Sequence, residues 1–226
     1  MFYTTNSKTG LLSSEESRHC TKVLRKNVGD SIELFDGMGT SYIAILTKVG
    51  KECTYQIEKT ERHKSPYKPV HIAIAPPKKA ARMDFMIEKL VELGIQKLTF
   101  LSTQHSERSR LNPERIKKQV ISACKQSKQY YLPEIDYNTS LKQIIESYTN
   151  LYTCHCNPNI TKTSIQEIKT PALNAIWLIG PEGDFSIQEL EMLKESKATF
   201  IDLGEQRLRT ETAAIYVMSA LKYLTD

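Results

Sequence analysis

Leu178-Ile-Gly-Pro-Glu-Gly-Asp-Phe-Ser186 and Leu203-Gly-Glu-Gln-Arg-Leu-Arg-Thr-Glu-Thr-Ala213 decide how this chain is read. Each runs from an apolar, strand-like segment through a glycine turn into a helix start. Two such turns in one small domain predict a ligand crevice, because open parallel sheets bind ligands beyond the carboxyl ends of their strands. The first turn carries Glu182 and Asp184; the second carries Arg207, Arg209 and Glu211.

Working outward, the flanking pattern alternates strands with helices. His71–Ala75, Lys97–Leu101, Leu151–Cys154, Ala175–Ile179 and Thr199–Leu203 read as buried strands. Ala80–Leu93 reads as a helix stopped by Gly94, Pro113 opens another that runs to about Lys128, and a third lies near Ser140–Tyr148. Ser186-Ile-Gln-Glu189 has capping-box spacing for a helix to about Ser196. This alternation predicts an α/β domain with a parallel sheet. The last helix, about Thr210 to Leu224, contains the all-round apolar run Ala213-Ala-Ile-Tyr-Val-Met218. Such a helix must be covered on more than one side, centrally within a monomer or at a subunit interface, and a homodimer is the favoured expectation. Thr210 is the expected N-cap.

The N-terminal third differs. Ser13-Ser-Glu-Glu16 has capping-box spacing for a helix to about Arg25. Strand-like runs follow at Ile32–Phe35, Ser41–Leu46 and Cys53–Glu58, separated by turns at Asp36-Gly37 and Gly50-Lys51. These predict a small β-barrel. Glu61–Pro69, polar with two prolines, reads as a linker. The expected domains are residues 1–66 and 67–226.

Composition is that of an ordinary globular protein: 226 residues, 40% apolar and 25% charged. Neither a signal-peptide core nor an apolar run of about 20 residues is present, so a cytoplasmic location is expected. Five scattered cysteines argue against a disulfide framework. Cys154-His155-Cys156 lacks a second ligand pair and reads as buried strand; no metal is expected. The net charge of +5 is unevenly spread. Residues 71–130 hold 12 basic against 5 acidic residues, whereas residues 131–226 hold 8 against 13. The basic middle suits a polyanion, or a solvated helix face.

Glycine-rich dinucleotide loops, P-loops, serine-hydrolase elbows and His-Glu-x-x-His zinc motifs are all missing from the sequence. Gly180-Pro-Glu-Gly-Asp-Phe-Ser186 and Leu208-Arg-Thr-Glu-Thr-Ala213 instead closely resemble the signature of the bacterial 16S ribosomal RNA uridine-N3 methyltransferases of the SPOUT superfamily. Weaker matches keep the family's order: His19, Val23-Leu-Arg25, Gly29-Asp30, Asp36-Gly37, Lys89, Glu92-Leu-Gly94, and Gln126-Ser127 to Pro133. The resemblance implies a C-terminal trefoil knot, an N-terminal PUA-like RNA-binding barrel, a homodimer, S-adenosylmethionine as cofactor, and 16S ribosomal RNA or the small ribosomal subunit as substrate. It departs where the family has glycine at the position of Asp184. Gln206-Arg-Leu-Arg209 also stands where the family has two arginines spaced otherwise, and Lys125-Gln-Ser-Lys-Gln129 alters a helical pattern.

The residues fit that chemistry. Gly180 and Gly183 permit close backbone approach, with Gly204 in the second turn. Leu178, Ile179, Leu203 and Leu208 supply apolar walls, and Glu182, Arg209 and the N-cap candidate Thr210 are further expected cofactor contacts. Methylating a uridine nitrogen needs alignment and loss of the N3 proton. Glu182 and Glu211 are alternative bases; their bland roles are a helix-start charge partner and an ion pair with Arg209. Arg209 is placed to meet negative charge building on the uracil oxygens. Arg25, Lys78, Lys79, Arg82, Arg108 and Lys118 are expected phosphate contacts. The rival readings are a related knotted enzyme with another nucleotide or ribose target, and a non-catalytic RNA-binding assembly factor.

Overall fold

A computed structural model describes residues 1–64, 70–107, 110–169 and 174–225. Two compact units emerge: residues 1–66 with 121–132, and residues 67–120 with 133–226. The segment 121–132, expected in the second domain, packs with the first unit. The boundary at 66/67 and the prolines of the linker lie outside the described residues.

The first unit is a four-stranded sheet in the order β1 (Phe2–Tyr3), β2 (Ser31–Phe35), β3 (Thr40–Lys48) and β4 (Thr54–Arg62). β1 pairs parallel with β2 and the rest are antiparallel. Period-two alternation puts Ile32, Leu34, Ala44, Leu46, Cys53 and Tyr55 into one core with Phe2, Leu12 and Cys20. Where a barrel was expected, the ladder runs from β1 to β4 without β1–β4 pairing among the described residues. β4 continues to Arg62 and so absorbs the first two linker residues.

The expected first helix is shorter. α1 (Ser14–Arg18) gives way to one π-turn over His19–Val23, where the Thr21 hydroxyl donates back to the carbonyls of Ser17 and Arg18. The capping box is half realised. Ser13 accepts the Glu16 N–H, but Glu16 turns away to accept the Tyr3 N–H at 3.1 Å and the Lys125 ammonium at 2.9 Å.

The second unit is a seven-stranded parallel sheet. In chain order its elements are β5 (His71–Ile74), α2 (Ala80–Glu92), β6 (Lys97–Ser102), α3 (Pro113–Ser127), β7 (Glu134–Ser140), α4 (Leu141–Ser147), β8 (Asn150–Cys154), β9 (Thr163–Ser164), β10 (Ala175–Ile179), α5 (Ile187–Glu195), β11 (Thr199–Asp202) and α6 (Thr210–Thr225). α3 runs on into the segment assigned to the first unit. The strand order is β7-β6-β5-β10-β8-β11-β9. β10 is central and buried at every residue, as a strand covered on both faces should be. One face packs Leu178, Ile176 and Phe200 against Leu141 and Ile144 of α4 and Leu190 and Leu193 of α5. α6 packs against α2, β5 and β10.

At the N-terminal edge of this sheet, His71 is buried. Its Nε2 lies 2.8 Å from the Thr99 hydroxyl, which donates to Asp136 at 3.3 Å, so Nε2 is the ring donor. Burial, reinforced by Lys97, lowers the imidazole to about 4.

Candidate active site

The two glycine turns meet where β8, β10 and β11 end, on a cavity of about 470 Å³. From β10 and its turn come Ile179, Gly180, Pro181, Glu182 and Asp184; from β11, its turn and the helix start come Ile201, Asp202, Leu203 through Thr210, and Ala213; Cys154, His155, Cys156 and Lys162 complete it. Of the expected cofactor contacts, Ile179, Gly180, Glu182, Leu203, Gly204, Leu208, Arg209 and Thr210 line this space. Leu178 and Gly183 lie outside the lining set. Leu178 points to the opposite face of its strand and is wholly buried in the core. A Cβ on Gly183 would meet His105 at 3.3 Å.

The glycines differ in why they are needed. Gly204 has φ +114° with open space around it, so the backbone conformation alone demands glycine. Gly180 has ordinary φ, but a Cβ there would meet the Phe185 ring at 3.1 Å and the Asp184 Oδ1 at 3.3 Å. The turn's own packing is therefore enough to restrict this position to glycine.

Glu182 is half-buried; its Oε1 accepts the Lys78 N–H at 3.1 Å, and its Oε2 has no partner. Glu211 is 5% exposed and lies outside the lining set. Its Oε1 is 3.5 Å from the Arg82 guanidinium, and its Oε2 is unpartnered. The expected Glu211–Arg209 pair is therefore replaced by Glu211–Arg82, while Arg209 is exposed on the cavity wall. Thr210 is the first residue of α6, not its cap: the Arg209 carbonyl accepts the Ala213 N–H at 2.8 Å and opens the helix. The Ser186–Glu189 box forms in full, and Glu189 also accepts the Gln104 N–H at 2.9 Å.

The basic residues are dispersed. Lys78 and Lys79 are exposed where α2 begins, with the Lys78 ammonium on Glu107 at 2.5 Å. Arg82, engaged by Glu211, is less open to a phosphate than expected. Lys118 is exposed on α3; Arg25 is exposed on the first unit, with φ +50°. Arg108 lies outside the described residues.

Reading the sequence alone missed His155, Cys156, Lys162 and Asp202, and the hydrogen bond from the Cys156 N–H to Asp184 at 2.8 Å. Asp202 was discoverable, because it ends a strand one residue before a recognised turn; the β8 loop comes from a distant segment and gave no such signal. Burial raises the Cys154 thiol to about 12, and burial with Lys162 lowers His155. No cluster able to hold a metal ion exists among the described residues, nor is any helix there long and apolar enough to cross a membrane.

Comparison with known proteins agrees with this architecture. Residues 63–222 match an RNA methyltransferase domain family, and residues 12–54 match an RNA methyltransferase PUA domain. Ribosomal RNA small subunit methyltransferase E of Rickettsia conorii is 30% identical, the alignment covering 97% of this chain and 91% of that one. The crystal structure of a probable rRNA-methyltransferase from Porphyromonas gingivalis superposes with a TM-score of 0.92 at 32% identity, covering 99% and 97% of the two chains. Ribosomal RNA small subunit methyltransferase E of Neisseria gonorrhoeae, bound to S-adenosyl methionine, has a TM-score of 0.82 at 26% identity over 99% and 96%. With two glycine turns closing a crevice at the ends of a parallel sheet, and both family domains in order, this chain belongs to the ribosomal RNA small subunit methyltransferase E family of the SPOUT superfamily.

Proposed function

We propose that this protein uses S-adenosylmethionine to methylate N3 of a uridine in 16S ribosomal RNA, as a homodimer with a trefoil-knotted C-terminal domain. The observation that carries the reading is the crevice formed by the two glycine turns. Its volume is in the range of small-ligand pockets, roughly 300–1,000 Å³. Its walls suit the cofactor: Ile179, Leu203 and Leu208 would flank an adenine, main-chain groups at Gly180 and Gly204 would read its edge, and Asp202 and Glu205 would accept from ribose hydroxyls or an ammonium.

When bound, S-adenosylmethionine supplies an electrophilic methyl, whose bond to sulfur returns its electron pair to sulfur as the bond to nitrogen forms. The chain's task is to align the uracil and to take its N3 proton. Glu182 is the favoured acceptor, because it lines the crevice and Glu211 does not. Glu211 is held by Arg82 outside the lining set and serves to fix α2 against α6. Arg209 faces the crevice, where its charge would stabilise the uracil oxygens. Arg25, Lys78, Lys79 and Lys118 are the proposed phosphate contacts.

Deleting the gene should remove one methylated uridine from small-subunit ribosomal RNA, read by mass spectrometry of nuclease digests, and the purified protein should restore it. An unchanged methylation map would refute the assignment. Loss of a methyl elsewhere on the base or on a ribose would keep the enzyme class and move the target.

A further inference from the structure

We propose that Asp184 is a positioning residue, whose carboxylate fastens the loop after β8 to the 180–185 turn and so holds two walls of the crevice in register. The proposal rests on that crevice being the cofactor site.

Asp184 sits at φ +63°, a conformation that glycine adopts at little cost and most other residues do not. Its side chain compensates. Oδ2 accepts the Cys156 N–H at 2.8 Å, and Oδ1 accepts the Phe185 N–H at 2.9 Å. The backbone is tied as well: the Asp184 N–H donates to the Pro181 carbonyl at 2.9 Å, and its carbonyl accepts from His105 Nδ1 at 3.0 Å. Two segments distant in sequence, at Cys156 and His105, thus converge on this turn. Cys156 and the turn's own Pro181 both supply crevice walls.

Of the two carboxylate hydrogen bonds, the one to Cys156 is the one that no local geometry requires. Those to Phe185 and Pro181 close the turn itself, whereas Cys156 lies 28 residues away on the loop leaving β8. Glycine would satisfy the turn's backbone but remove this tie, leaving the loop held by the His155 ring against Phe200 and by Ile160 on the core. Both carboxylate oxygens already accept a backbone N–H, so Asp184 acts by holding the wall and not by taking a proton.

Asp184→Gly and Asp184→Asn separate this role from catalysis and from general stability. In Asp184→Gly, affinity for S-adenosylhomocysteine should fall about 10-fold by calorimetry, the scale of losing one charge-assisted hydrogen bond. The KM for S-adenosylmethionine should rise in parallel, while kcat at saturating cofactor stays within about twofold and the KM for RNA is unchanged. Exchange of the Cys156 amide should quicken in the same variant, with little change in the thermal midpoint. Asp184→Asn should fall between the two, because asparagine tolerates the left-handed conformation and returns one acceptor. Unchanged S-adenosylhomocysteine affinity in Asp184→Gly, with the wild type binding normally, would overturn the proposal. So would a fall in kcat with KM unmoved. If the wild type itself fails to bind S-adenosylhomocysteine while the Cys156 amide is protected only when Asp184 is present, the clamp stands and the cofactor reading fails instead.

Discussion

At the scale of single residues, the crevice separates side chains that look alike in sequence. Arg207 and Arg209 both line it, yet Arg209 is also the residue whose carbonyl opens α6, so its Cα is anchored by the helix. An anchored cation in a crevice stabilises developing charge better than a mobile one. Arg209→Ala should therefore slow single-turnover methyl transfer by about 10²-fold or more while RNA affinity changes little. A wild-type rate from a saturated complex would make Arg209 structural. Gly180 behaves differently from what its motif suggests. Any side chain there meets the buried Phe185 ring, so Gly180→Val should lower unfolding stability by about 1–3 kcal/mol through overpacking. Denaturant titration reads this directly, and a fully stable variant with lost cofactor affinity would instead show that the side chain turns into the ligand space.

At the scale of elements, α6 shows how an all-round apolar sequence is resolved. Ala213, Ala214, Val217, Met218 and Leu221 are buried within the single chain, while Thr212, Tyr216, Ser219 and Tyr223 form one exposed stripe. The expected cover on more than one side is largely intramolecular. Met218→Glu would thus bury an unpaired charge inside the folded unit, at a cost of about 3–5 kcal/mol, and lower the thermal midpoint at every protein concentration. The proposed dimer is tested elsewhere on the helix. Tyr216→Glu should leave the fold intact and shift light-scattering mass from dimer to monomer; an unchanged mass would move the interface off this stripe. β7 was not foreseen, because Glu-Ile-Asp-Tyr-Asn-Thr-Ser carries no apolar run, and it forms as an edge strand by pairing with β6.

At the scale of the whole molecule, buried polar groups couple folding to pH. His71 has an unfolded value near 6.5 and a folded value of about 4, so the unfolded chain binds more protons between them. Its contribution is complete above pH 6.5 and is lost as pH falls toward 4, about 3 kcal/mol at its fullest. Urea titrations from pH 7 to pH 4 should show a steeper loss in the wild type than in His71→Gln; parallel profiles would mean that His71 is not the group responsible. The sequence alone determined the strand–helix alternation, both glycine turns and the helix starts at Ser140 and Ser186, because these depend on local periodicity, backbone freedom and short-range hydrogen bonds. It could not determine that Glu16 would leave its cap for Lys125, that Glu211 would choose Arg82 over Arg209, or that residues 121–132 would pack with the first unit. Nor could it place Cys156 against Asp184. Each of those outcomes joins groups far apart in the chain, and a charged or polar side chain finds its partner only after the sheet order has brought distant segments together.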